Sequence, residues 1–158
     1  SLMISFNYRH MIPQEVLELM PGRVINLHTS YLPYNRGSSP NFFSFLEDTP
    51  KGVTIHLMSA GLDEGDILCQ RELHFDEEKE TFASTYEALL QEIEKLFREN
   101  WQQIREGSII PVKQAGPVTY HRMKDLDAIR EKVDFDWNMK IGDFKRAYEK
   151  AMRKDENS

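Results

Sequence analysis

A chain of 158 residues, 40% hydrophobic and 29% charged, has the size and make-up of one globular domain and can bury roughly 70% of the surface its unfolded form exposes. No run approaches the ~18 apolar residues of a membrane span, and the first residues lack a basic-then-apolar leader pattern, so no membrane association is expected. A net charge of −6 argues against broad electrostatic capture of nucleic acid, and a single cysteine, Cys69, cannot close an internal disulfide, which fits a reducing cytoplasm.

In chain order, Met3–Phe6 reads as a short strand running into the loop 7–12. Pro13 opens a helix to about Met20, at the first position where a missing N–H costs nothing, and Pro21-Gly22 ends it. Arg23–Leu27 is an apolar run of the buried-strand type, and this strand-helix-strand alternation predicts a parallel sheet. Ser39-Pro40 marks a second helix start, and Thr49-Pro50-Lys51-Gly52 breaks that helix. Gly52–Met58 alternates in period two, and Ile67–Leu73 reads as a further strand. The longest helix is expected from about Thr81 to Glu106, because Phe82, Tyr86, Leu89, Leu90, Ile93, Phe97, Trp101 and Ile104 recur at steps of three and four. A less regular tail follows Ile110, with helical stretches at Leu126–Lys132 and Ile141–Met152. Beginning inside a strand, with Ser1-Leu2 resembling a cloning remnant, the chain reads as an incomplete domain.

Chemistry concentrates in Asn26-Leu27-His28 and in Leu62-Asp63-Glu64-Gly65-Asp66-Ile67-Leu68. Asn26 and His28 are two apart, so they point to one side as a strand ends, where open parallel sheets bind ligands. An amide supplies a donor that never titrates, an imidazole donates or accepts near neutral pH, and a carboxylate beside it stabilises its charged form. These are the parts needed to move an acyl group onto an amine. His56 lies mid-strand and reads first as a structural hydrogen-bonding residue. A zinc site from His28, His56 and Asp63 is the chemical rival, but the chain has no paired spacing of the metal-ligand type, so no metal is expected.

Taken in order, Asn26-Leu27-His28, Leu32-Pro33, Arg36-Gly37, Val53-Thr54-Ile55-His56 and Asp63-Glu64-Gly65-Asp66-Ile67 resemble the motifs of the folate-dependent formyltransferases, from Ile4 to about Glu72. That resemblance implies an α/β fold, a partial Rossmann-like, mostly parallel sheet flanked by helices, with a long helix and an irregular helical tail. It divides the chain into a catalytic, folate-binding domain, 1–110, incomplete at its beginning, and an extension, 111–158. It implies formyl transfer from 10-formyltetrahydrofolate to a primary amine. Asn26 and His28 would hold the formyl oxygen, and Asp63 would orient His28 and help relay the amine proton. Asn7, Tyr8, Arg9, His10, Met11 and Ile12, with Ser59, Ala60, Gly61 and Leu62, would grip the folate through backbone groups. Arg36, Gly37 and Ser38 would face the acceptor, a guanidinium being suited to phosphate.

The wording around Asn7-Tyr8-Arg9-His10, Tyr31–Gly37, Thr49–His56 and Thr119-Tyr120-His121-Arg122 looks closest to the branch acting on amino sugars of nucleotide-linked sugars. A nucleotide-linked amino sugar is therefore the expected acceptor. Transfer to methionyl-tRNA or phosphoribosylglycinamide is the alternative, tRNA being less favoured because the residues after Ile110 are too few and too helical for the tRNA enzymes' basic β-barrel. A homodimer is possible within this family. A folate-binding remnant without turnover is the alternative of another class. In some branches of the family a proline is common where Asp66 stands, a change confined to the start of a strand. Lys145, Arg146, Lys150, Arg153 and Lys154 would offer a nucleic-acid face, but Asp143, Glu149, Asp155 and Glu156 interleave with them, as on a solvated helix.

Overall fold

A computed structural model describes all 158 residues. Strand β1 (Met3–Phe6), helix α1 (Gln14–Leu19) and strand β2 (Val24–His28) come first, then the two-residue β3 (Arg36–Gly37), helix α2 (Pro40–Leu46) and strands β4 (Lys51–Leu57) and β5 (Ile67–Leu73). Helices α3 (Phe82–Glu99) and α4 (Trp101–Glu106), strand β6 (Tyr120–His121), and helices α5 (Met123–Arg130) and α6 (Ile141–Glu156) complete the chain.

The α/β class with a helix-flanked sheet stands as expected. The main sheet has the order β1-β2-β4-β5, and β3 pairs with β6 apart from it. Strand directions are more mixed than strand-helix-strand alternation implies. β1 and β2 are parallel, connected through α1, whereas β2/β4 and β4/β5 are antiparallel. The reason at β4/β5 is chain length: residues 58–66 are too few for the crossover of a dozen or more residues that a parallel pairing requires.

Period-two alternation gives the sheet two different faces. Ile25 and Leu27 of β2 and Val53 and Ile55 of β4 pack beneath Leu89, Ile93 and Leu96 of α3 and Ile104 of α4. Asn26 and His28, opposite His56 and Thr54 in the register, alternate with them and belong to the other face. A second core joins Phe42, Phe43 and Phe45 of α2 and Phe82 of α3 to Leu126, Val133, Ile141 and Phe144 of the tail, so residues beyond 110 share a core with α2 and α3.

The long helix differs from expectation in two ways. It bends at Asn100, whose side-chain amide donates to the Leu96 carbonyl at 2.8 Å and competes with the backbone for that acceptor. Tyr86 and Trp101 are 39% exposed, because the buried stripe runs through Phe82, Thr85, Leu89, Ile93 and Leu96. A reciprocal box starts α3, in which the Ser84 N–H donates to Thr81 Oγ1 and the Thr81 N–H donates to Ser84 Oγ, each at 2.9 Å. Gly107 ends α4 in the left-handed conformation, φ 69°, and Arg23 donates to the carbonyls of Ile104 and Arg105 at that end.

Phe82 touches the rings of Phe42, Phe45, Phe135 and Phe144 and is buried. Phe82→Ala is expected to cost about 3–5 kcal/mol in urea unfolding, while Leu19→Ala on the exposed side of α1 stays within about 0.5 kcal/mol.

Candidate active site

Strand alternation aims Asn26 and His28 at one spot, and the loop after β4 brings Asp63 to meet them. Asp63 sits in the left-handed region, φ 53°, which turns its carboxylate inward. The carboxylate collects donors from separate elements. Its Oδ2 accepts the Gly37 N–H at 2.9 Å and stands 3.8 Å from His28 Nδ1. Its Oδ1 accepts from Asn26 Nδ2 at 3.4 Å and lies 3.6 Å from His56 Nε2. Asn26 Nδ2 is also 3.3 Å from His56 Nε2. Asn26, His28 and Asp63 are thus brought together as the spacing predicts. The side chains of His28 and Asp63 are each 10% exposed.

Main-chain acceptors fix both imidazole tautomers. His28 Nε2 is 3.0 Å from the Asn35 carbonyl, which can only accept, so the neutral ring carries its proton on Nε2 and turns the Nδ1 lone pair toward Asp63. Asn35 aims that carbonyl from φ 56°, held by its N–H to Thr119 Oγ1 and its amide to Thr49 Oγ1. His56 Nδ1 is 2.8 Å from the Leu57 carbonyl, so its Nε2 lone pair faces the Asn26 amide. The expected structural bond of His56 is there, and its other nitrogen belongs to the constellation. Gly65 packs on that Leu57 carbonyl so closely that a Cβ would run into it. Beneath, buried Thr54 donates to the Ser30 carbonyl at 2.7 Å and accepts the Leu32 N–H at 3.1 Å, which seats the loop after β2.

The residues expected to face the acceptor, Arg36, Gly37 and Ser38, assemble through β3 and β6. Gly37 lends its N–H to Asp63, with φ 87° and the His121 carbonyl where a Cβ would stand. The Ser38 N–H donates to the His121 carbonyl at 2.8 Å. Arg36 donates from Nε and Nη2 to Gln114 Oε1 at 3.1 and 2.8 Å. Gln114 escapes sequence reasoning, and the part Thr119 plays is not visible in the Thr119–Arg122 wording, since each acts across 49 or more positions. The expected folate residues do not join these contacts. Asn7, Tyr8, Arg9, His10 and Met11 are exposed and Ile12 is half-buried after β1, and Ser59, Ala60, Gly61 and Leu62 form the first half of the turn that carries Asp63.

No group of three His, Cys, Asp or Glu side chains is placed to hold a metal ion, so the rival set of His28, His56 and Asp63 finds no support in the geometry. Burial pushes the Cys69 thiol up to about 11, which leaves it protonated and inert. Two of the five basic residues of α6 are ion-paired: Lys145 with Asp48 and Glu77, and Arg146 with Glu78 and Asp143. A concavity of about 550 Å³ along that helix has no hydrophobic lining and lies away from the constellation. No helix is long and apolar enough to cross a membrane.

Burial by itself would raise the Asp63 carboxyl, but the His28 and His56 imidazoles and the Gly37 N–H outweigh it and hold it at about 2. Burial, the largest influence on His28, pushes that imidazole below its usual value against the pull of Asp63. At neutral pH the pair is therefore a carboxylate facing a neutral ring. A carboxyl held below its unfolded value contributes stability at and above about pH 4 that is lost as the pH falls toward 2, about 2 kcal/mol in all. A histidine held low contributes stability that begins to be lost as the pH falls below 6.5. Urea midpoints measured from pH 7 to 2 are expected to fall in two stages, and Asp63→Asn removes the lower one.

The family profile described as "Formyl transferase" matches residues 1–100. The chain is 32% identical over 129 residues to a dTDP-4-amino-4,6-dideoxyglucose formyltransferase of Mycobacterium bovis, covering 82% of this chain and 54% of that protein. It is 33% identical over 139 residues to a methionyl-tRNA formyltransferase of Bacillus mycoides, covering 86% and 42%. The chain thus spans about half the length of the curated relatives it matches. Among solved structures, the formyltransferase PseJ of Anoxybacillus kamchatkensis, in complex with UDP-4,6-dideoxy-4-formamido-L-AltNAc and tetrahydrofolate, superposes with a TM-score of 0.84 at 45% identity, over 89% of this chain and 74% of that one. With the profile matched across the residues that carry Asn26, His28 and Asp63, the chain belongs to the formyl transferase family.

Proposed function

We propose that this chain carries the catalytic half of an enzyme that transfers a formyl group from 10-formyltetrahydrofolate to the primary amine of a nucleotide-linked amino sugar. The observation that carries this reading is the convergence of Asn26, His28 and Asp63 on one spot in a member of the formyl transferase family. Similarity to PseJ, whose complex contains a UDP-linked formamido sugar, supports the sugar class of acceptor. A tRNA acceptor is disfavoured by the net charge of −6 and by the ion pairs that occupy Lys145 and Arg146 of α6.

The donor set suits a carbonyl oxygen that gains charge. When bound, 10-formyltetrahydrofolate would supply the formyl carbon. Asn26 Nδ2 makes only long bonds, 3.3 and 3.4 Å, to its present partners, so it can turn one N–H to the formyl oxygen as that oxygen becomes anionic. His28 has Nε2 committed to Asn35, so its free Nδ1 receives the proton shed by the attacking amine, relayed through water. The resulting imidazolium faces the Asp63 carboxylate, adds its charge to the steadying of the oxygen, and returns its proton through water to the departing folate nitrogen as the bond from that nitrogen to the formyl carbon breaks. Tyr8, Met11 and Leu62 expose apolar surface on the two stretches assigned to the folate, which fits a flat pterin ring. Residues 1–110 would perform the chemistry, with 111–158 covering it. Arg36 Nη1, which has no hydrogen bond to Gln114, would reach an acceptor phosphate.

Mixing the chain with 10-formyltetrahydrofolate and a UDP- or dTDP-linked amino sugar should release tetrahydrofolate in proportion to formamido sugar. His28→Ala and Asp63→Ala are each expected to lower kcat by about 10²–10⁴, and Asn26→Ala by about 10²–10³. Survival of activity within a few-fold would end the assigned roles. Calorimetric binding of a formyl-folate analogue without any turnover would favour a binding remnant instead.

A further inference from the structure

Gln114 lies outside residues 1–100, which carry the family match, yet its side chain reaches the backbone of the turn that carries Asp63. Its Nε2 donates to the main-chain carbonyls of Asp63 and Gly65 at 2.7 and 2.8 Å. Its Oε1 accepts Arg36 Nε and Nη2 at 3.1 and 2.8 Å. Both donors and both lone pairs of the amide are therefore used. The segment is delivered in register, because Val112 and Ile67 exchange N–H···O bonds of 2.7 and 2.9 Å two residues before Gln114.

We infer that Gln114 is a positioning residue, which clamps the left-handed Asp63 turn to the Arg36 guanidinium and so holds the catalytic carboxylate in register with the acceptor side of the site. The activity arm of this inference rests on the formyl-transfer reading above, while its structural arm does not. Asp63 adopts a backbone conformation that an L residue takes up at a cost, and such conformations persist only where the surroundings over-determine them. Here the surroundings are the Gly37 N–H on the carboxylate and the Gln114 amide on the carbonyl. The groups facing the carboxylate are His28 and Asn26 from β2, His56 from β4 and the Gly37 N–H from β3. Glu64, the next residue along the turn, lies 3.8 Å from Arg36 Nη1. Releasing the clamp lets the turn relax and draws the carboxylate away from all four of its partners.

The test uses Gln114→Met, which keeps the length and removes every hydrogen bond. Carbon-13 NMR of the Asp63 carboxyl should titrate near 2 in the parent chain and move upward toward the ordinary carboxylate range in Gln114→Met. In turnover, kcat should fall about tenfold to a hundredfold. In the Asp63→Asn background the same change should cost less than about twofold, because the clamp then has no carboxylate to act through. An unmoved Asp63 titration in folded Gln114→Met, or losses that multiply in the double variant, would overturn the inference in favour of simple loop packing. Should Gln114→Met not fold, Gln114→Asn reads the same titration, since its amide is one methylene too short to span both sides. A parent chain without turnover would remove the formyl-transfer reading, and the Asp63 titration would still decide the role of Gln114.

Discussion

A carboxylate withdrawn from water must be surrounded by donors, and much of this fold is arranged to meet that demand at Asp63. Two donors come from β2 and β3, the Asn26 amide and the Gly37 N–H, and the imidazoles of His28 and His56 stand near from β2 and β4, pieces of chain that only the sheet and its short satellite ladder bring together. Only the Gly37 bond, at 2.9 Å, has ordinary length: two others are near-contacts of 3.6 and 3.8 Å to imidazole nitrogens, and the Asn26 bond is long. What matters is their common target. Groups set loosely around one ionised carboxylate can be re-aimed at less cost than groups fixed by short bonds.

The two faces of β2 and β4 divide the work. On one side Ile25, Leu27, Val53 and Ile55 anchor the strands to α3, and this packing makes the strand positions stiff. On the other, alternate residues of the same strands carry the amide and the imidazoles, which inherit that stiffness without contributing to the apolar core. The phenylalanine-rich second core performs a similar service for the tail. It holds α5 and α6 against α2 and α3, and β6, immediately before α5, pairs with β3, so the backbone of Arg36 and Gly37 is supported from the far end of the chain.

Much of this arrangement is legible in the residues themselves. A period of two puts Asn26 and His28 on one face, Ile67–Leu73 forms the strand its composition implies, and Thr81 stands where a helix cap belongs. Other features depend on what meets what in three dimensions. Tyr86 and Trp101 satisfy a helical period as well as Thr85 and Leu96 do, and only the packing of α3 on the sheet decides which stripe is buried. The antiparallel pairing of β4 with β2 is encoded by no local pattern. Gln114 and Thr119 are ordinary polar residues in an irregular stretch, and their partners lie too far away in sequence to leave a periodic trace.

The supports of the site are largely atoms of the peptide backbone. The Gly37 N–H holds Asp63, the Asn35 carbonyl orients one imidazole, the Leu57 carbonyl orients the other, and the carbonyls of Asp63 and Gly65 receive the Gln114 amide. Every amino acid brings those groups, so exchanging the side chain at position 57 leaves the local wiring in place provided the chain keeps its path. Such a scaffold lets a lineage rewrite most of its surface while Asn26, His28 and Asp63 stay aimed at one spot. It also concentrates vulnerability in path rather than identity: an insertion or deletion between β2 and Gly65 would disturb more than most single replacements around it.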